Sequence, residues 1–181
     1  ASATDNSVKM ISRYDANVAM GIIHTIKENN ITDIVLGLHY KNTFTDSFFG
    51  EKTETVLQLT NQMVMVIKAV QPLSTIRRVV VAVPPKAEFE IGFVKWYDRV
   101  KNICKQIGAT AKFFASKETL AQIKELASRN KFGVPTQYEL LDDWDEFLIL
   151  TRELQTDDLL VIVSSRKRSR APSRPSLIST R

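Results

Sequence analysis

Short apolar runs along this chain alternate with stripes of helical period, and their succession predicts the order of its elements. Residues 8–14 (VKMISRY) read as a short strand. Asp15 then stands where an N-cap belongs, ahead of a helix over about 16–29 with Val18/Ala19, Ile22/Ile23 and Ile26 at helical spacing. Glu28-Asn-Asn30 stops that helix. A continuous apolar, buried strand over 32–37, a polar loop over 38–49 and a helix from about Gly50 to Thr60 follow, and Met63-Val-Met-Val-Ile67 reads as another short continuous apolar strand. The connector Lys68–Thr75 contains Pro72 and is the best internal boundary.

Beyond it the pattern begins again. Val79-Val-Val-Ala-Val83 is rich in β-branched residues and is halted by Pro84-Pro85. A long amphipathic helix is expected next, with Phe89, Phe93, Trp96/Tyr97, Val100, Ile103/Cys104 and Ile107 on one stripe and Gly108 just past its end. The remaining order is strand 109–115, a helix from Ser116, strand 135–141, a helix over 143–154 capped by Asp143 with Glu146 three residues on, and strand 158–163. Strands alternating with helices mean βαβ units and a mostly parallel sheet, so the expected fold is α/β, an open doubly wound Rossmann-like sheet. A piece of a (β/α) barrel is the alternative, but the pattern supplies only seven strands. The stretches Thr32-Asp-Ile-Val-Leu-Gly and Thr156-Asp-Asp-Leu-Leu-Val-Ile-Val-Ser form a faint internal echo, each followed by a polar, basic loop.

Composition narrows the classes without choosing among them. At 181 residues with 44% hydrophobic and 25% charged residues, most of the chain has the makeup of a folded globular protein. No run approaches the apolar length of a membrane span. Cys104 is the single cysteine and sits on a helical stripe, which points to core rather than to a reactive thiol. Two histidines, His24 and His39, cannot furnish a zinc cluster. The net charge of +5 is localised. Arg166–Arg181 carries six of the 25 basic residues and no acid, leaving nineteen basic residues against all 20 acidic ones in positions 1–165.

The candidate chemistry lies where Asp33-Ile-Val-Leu-Gly-Leu-His-Tyr-Lys41 meets Phe48-Phe-Gly-Glu-Lys-Thr53. A strand ending at one glycine and a helix opening at another is a common way to hold phosphate, because helix N–H groups favour an anion. Gly37, Tyr40, Gly50 and Glu51 stand at the spacing Gly-x2-Gly-x9-Gly-(Ser/Thr), and this stretch resembles the nucleotide motif of the universal stress protein superfamily. The similarity runs on through Glu54-Thr-Val-Leu57 into Met63–Ile67. On that resemblance, residues 1–70 hold the second half of one such unit, 71–165 the first four strands of another, and 166–181 a basic polar tail. The implied fold is adenine nucleotide alpha hydrolase-like, in two partial repeats. A tandem, front-truncated pair followed by a basic Ser/Arg/Lys stretch is similar to the cytosolic C-terminal regions of bacterial Kef-like cation/proton antiporters. The chain begins Ala-Ser-Ala-Thr-Asp-Asn, with neither an initiator Met nor an apolar signal core, and is expected to be a piece of a longer protein.

The departures from the motif carry as much information as the matches. Tyr40 puts a ring where a glycine belongs, and Glu51 puts a carboxylate in the first turn of the helix. Two like charges about 4 Å apart repel by about 4 kcal/mol at an effective dielectric near 20, more than the roughly 0.3–1 kcal/mol a helix terminus returns. Where the family carries an acid after its first strand, this chain has Val83-Pro84-Pro85-Lys86. The candidate nucleotide or anion contacts are Gly37, His39, Lys41 and Gly50, with Ser164, Ser165 and Arg166 after the last strand. No catalytic residue, metal ligand or required cofactor is expected; adenine nucleotide is the ligand the resemblance implies.

The expected role is therefore a non-catalytic regulatory or scaffolding domain of a monovalent cation/proton antiporter, on the cytoplasmic side of the bacterial inner membrane. Its expected partners are the membrane transporter domain of the same polypeptide, a second copy, and an anionic membrane surface through the basic tail; the resemblance implies strand 63–67 as an interface, either between the halves or between chains. Nucleic acid is disfavoured because no aromatic platform accompanies the tail. The alternative is a free-standing cytosolic nucleotide-binding universal stress protein.

Overall fold

The computed structural model describes residues 9–37, 51–67, 71–130, 133–143, 150 and 152–164. The chain divides into two compact units, Ala1–Val70 and Gln71–Arg181.

The first unit contains α1 (Val18–Glu28), β1 (Asp33–Gly37), α2 (Glu51–Leu59) and β2 (Met63–Ile67). The strands pair in parallel, from Asp33 beside Met63 to Gly37 beside Ile67. Ala19, Ile23 and Ile26 of α1, Ile34 of β1 and Val56 of α2 bury one another, so both helices lie on the Ile34 side of the strands. Continuous apolar sequence suggested cover on both sides of this strand. Val35, pointing the other way, is instead 57% exposed.

The strand expected over 8–14 does not form in the described residues 9–14. Polar side chains hold this arm to α1 instead: Arg13 forks onto Glu28, with Nη1–Oε2 2.7 Å and Nη2–Oε1 3.3 Å. Nor is Asp15 the helix cap. Asn17 takes that role by accepting from the Met20 N–H at 2.9 Å, while Asp15 binds the His24 ring at 2.8 Å and the Arg13 guanidinium.

The second unit carries β3 (Arg78–Ala82), α3 (Phe93–Ile107), β4 (Thr110–Ala115), α4 (Lys117–Arg129), β5 (Thr136–Leu140) and β6 (Asp158–Ile162). All its strand pairs are parallel, in the order β5-β4-β3-β6. This is an α/β unit, compatible with a Rossmann-like fold. Alternation along β3 serves both faces. Val79, Val81 and Val83 pack with Phe93, Tyr97, Val100 and Cys104 of α3 and with Leu120 and Ile123 of α4. Val80 and Ala82 pack with Phe114, Leu141 and Leu150 on the opposite face. Each fully buried side chain of this size contributes about 1.5–3 kcal/mol, which is why a strand interior on two sides is read so plainly from its sequence. Tyr97, Phe113 and Tyr138 form a stacked row across the first face, with centroid separations of 6.2 and 6.1 Å.

Local signals account for the ends of these helices. Ser116 caps α4 and Gly108 closes α3 in the left-handed region, at φ 70°. Most of the helix expected over 143–154 lies outside the described residues; Leu150 and Arg152 are helical. The expected stripe of α3 loses its first member. Lys86 adopts φ 67°, a short 3-10 turn follows at Ala87–Phe89, and the α-helix starts only at Phe93. Phe89 is thereby left 81% exposed. No helix of the described residues is long and apolar enough to cross a membrane.

Candidate functional site

Parallel strands place all their carboxyl ends on one edge of the sheet, and ligands of open α/β sheets gather there, where the strand order reverses. In the second unit the order reverses at β3: β4 and β5 lie on one side of it and β6 on the other. The ladder extends one residue past the strands, with the Val83 N–H donating to Phe114 O and the Val163 N–H to Ala82 O, both at 2.9 Å. Pro84 and Pro85 then end it, since proline has no N–H to donate. The turn tightens through Lys86, with Ala87 N to Pro84 O at 3.3 Å and Phe89 N to Lys86 O at 3.2 Å. A lysine at positive φ carries strain that glycine would not.

The first acid after β3, Glu88, is already engaged. Its Oε2 accepts from Thr119 Oγ1 at 2.7 Å. Thr119 is wholly buried, and its hydroxyl also lies 3.0 Å from Ser116 Oγ. Ser116 in turn accepts the Thr119 N–H at 3.4 Å. The start of α4, where orphan N–H groups would favour an anion, is thus met by a side chain of the protein itself. Ala87 and Phe93, 4% and 6% exposed, anchor the two ends of the loop between β3 and α3.

Of the residues proposed from sequence, Gly37 and Ser164 lie within the described chain. Gly37 ends β1 in the first unit, and Ser164 follows β6 in the second and is exposed. His39, Lys41, Gly50, Ser165 and Arg166 lie outside the described residues. Among the described residues, Gly37 shows neither reason for which glycine is required at such a site. Its φ is not positive, and a Cβ built on it meets no described atom within 4 Å. Glu51 is the first residue of α2.

Two polar clusters escaped the sequence reading because their members are far apart in the chain. In the first unit, the hydrogen bond from His24 chiefly, with help from Arg13, holds the Asp15 carboxyl below its ordinary value against the effect of burial. The bond to Glu28 and then that to Asp15 push the Arg13 guanidinium up. A cleft of about 760 Å³ runs beside this cluster, lined by Ile11, Ile22, Ile26, Ile34 and Val35. In the second unit, at the amino ends of the strands, Arg78 grips Asp158 through Nε at 2.9 Å and Nη2 at 2.6 Å. Lys112, 8% exposed, reaches Glu153 at 2.8 Å and Glu139 at 3.7 Å.

Among the described residues no group of three or more His, Cys, Asp or Glu side chains could hold a metal ion. Cys104 is fully buried, and burial pushes its thiol up to about 11, far from the range of a nucleophilic thiolate. No protein-family model, curated protein or solved structure matches this chain.

Proposed function

We propose that this chain is a non-catalytic regulatory or scaffolding domain of a bacterial monovalent cation/proton antiporter, facing the cytoplasm at the inner membrane. In this reading its units are two partial universal-stress-protein-like repeats, the second of them doubly wound. The observation that supports a withdrawn nucleotide site is the Val83-Pro84-Pro85-Lys86 turn beside the switch in strand order. No carboxylate follows β3 directly, and Glu88 is turned onto Thr119. That edge therefore offers little for the ribose and base of a nucleotide, although the parallel sheet around it has the layout of a nucleotide fold. The domain would act by biasing the transporter through packing or partner contacts, with its nucleotide frame retained as scaffold.

Calorimetric titration with ATP, ADP, AMP and cyclic di-adenosine monophosphate, with Gly50→Glu as control, tests the withdrawn site. No heat is expected from any of them. Submillimolar binding of any of them would mean a live sensor and overturn the scaffold reading, and its loss in Gly50→Glu would assign it to the first unit. The antiporter role is tested by ion flux through the transporter with and without the domain across a range of pH. Identical flux in both cases would refute regulation.

A further inference from the structure

The geometry points to the free edge of β1, in the first unit, as a docking slot for an extended apolar segment of another polypeptide, added to the sheet as a further strand. Among the described residues β1 pairs with β2 alone. Alternate residues of a strand turn their N–H and C=O groups to opposite edges, so half of the backbone groups of β1 face away from β2. A cleft runs along that edge. Ile34 and Val35 point to opposite faces of the strand, yet both line the same space of about 760 Å³, as a cleft passing the strand's edge requires. Val18 and Ile22, one turn apart on α1, line it too, so the helix overhangs the place beside β1 where a further strand would lie. Val18 and Val35 are each 57% exposed. Ile11 closes the cleft from a third side, in an arm that is fixed to α1 by the Arg13–Glu28 and Asp15–His24 contacts.

These walls select the occupant. Backbone donors and acceptors along one side require another backbone, which a lipid chain or a small apolar molecule does not supply. Size allows one short segment. β1 has five residues and spans about 16 Å at about 3.3 Å per residue. A space of about 760 Å³ falls within the roughly 300–1,000 Å³ that holds a ligand of that kind. A second copy would bring a sheet edge together with its covering helices, and these would run into α1 and the arm. Charge points the same way. Arg13 and Asp15 are paired with each other, with Glu28 and with His24, and Asp33, at one end of the slot, accepts from the Thr32 hydroxyl at 2.6 Å. Walls whose charges are already matched suit a neutral, β-branched segment, with the backbone supplying affinity and Val18, Ile22 and Ile11 receiving its side chains. Such docking does not depend on the chain's belonging to a transporter.

A library of random heptapeptides displayed on phage, panned against the full 181-residue chain, tests it. Enrichment of uncharged heptapeptides rich in Val, Ile and Thr and free of Pro is expected. The most enriched of them, resynthesised, should bind about tenfold or more weakly to the Val18→Asp chain. Val18 is the first residue of α1 and largely exposed, and an acid suits that end of a helix, so the melting temperature of this variant should not fall. N-methylation of one alternate set of the peptide's amides should abolish binding, because only one edge of an added strand faces β1. Affinity that methylation of either set leaves intact would overturn the proposal and reduce the contact to apolar adhesion. No enrichment beyond that on the Val18→Asp chain would also overturn it, and a dimer in sedimentation that Val18→Asp dissolves would then assign the edge to a second copy.

Discussion

The Arg78–Asp158 pair ties β3 to β6 at the amino end of the sheet, so Asp158→Asn probes whether that pairing holds the second unit together. Three hydrogen bonds converge on the carboxylate: Arg78 Nε at 2.9 Å, Arg78 Nη2 at 2.6 Å and the Gln155 N–H at 2.8 Å. The Asp158 side chain is 2% exposed and that of Arg78 22%. Asparagine keeps one acceptor oxygen but turns an NH₂ toward these donors and removes the charge that balances the guanidinium. Breaking a sealed pair costs about 3–5 kcal/mol. Arg78 can regain some water, so a loss of about 2–3 kcal/mol is expected, or roughly 10 °C in melting temperature for a unit of this size.

The pH dependence supplies a second reading of the same pair. Burial pushes the Asp158 carboxyl up, but the bonds from Arg78 and Gln155 and the charges of Arg78 and Lys112 outweigh it and hold the group below its ordinary value. A carboxyl held low in the folded state adds stability that is present above its unfolded value, about 4, and is lost as pH falls through the folded one. The gap between wild type and Asp158→Asn should be complete at neutral pH and should shrink below about pH 4. Urea unfolding followed by tryptophan fluorescence isolates the effect, because both Trp96 and Trp144 belong to the second unit. A variant within about 0.5 kcal/mol of wild type, or a gap that stays constant into acid, would refute the reasoning.

Two further outcomes are expected. Thr119→Val removes the donor to Glu88 and the hydroxyl beside Ser116 while keeping the shape of a wholly buried side chain; it should destabilise the second unit by about 1–2 kcal/mol and speed amide exchange over residues 87–92, and unchanged exchange there would show that this bond does not anchor the loop. Cys104, the single cysteine, is buried with its thiol raised to about 11; it should resist iodoacetamide at mildly alkaline pH and react at the rate at which the second unit opens, whereas fast labelling of the native chain would place it outside the core.

Candidate chemistry was far less legible in the sequence than the elements were. Gly37 stands at the right spacing, yet nothing among the described residues around it requires a glycine, and the loop over 38–50 lies outside them. Spacing along a chain cannot report what space a backbone leaves. The Pro84-Pro85 stop was readable, but the engagement of Glu88 with Thr119, 31 residues away, was not. Phe89 was misread because its spacing from Phe93 fits a helix equally well whether or not the helix reaches that far. The backbone at Lys86, turning into the left-handed region before a 3-10 turn, decided that it does not.

The amino-acid sequence by itself determined what depends on neighbours a few residues away. Short continuous apolar runs specified Met63–Ile67 and β3, a stripe of period 3.6 specified α4, and local chemistry specified the Ser116 cap and the Gly108 end of α3. Tertiary structure alone decided the order β5-β4-β3-β6, which puts the first strand of the unit between the second and the fourth. It also decided the meeting of Arg78 with Asp158 across 80 residues and the outward setting of Phe89 and Ile91. Those outcomes depend on which apolar faces bury one another and which polar groups find partners as they do so. That is a choice among arrangements of the whole chain, and no short window of it contains the competing arrangements.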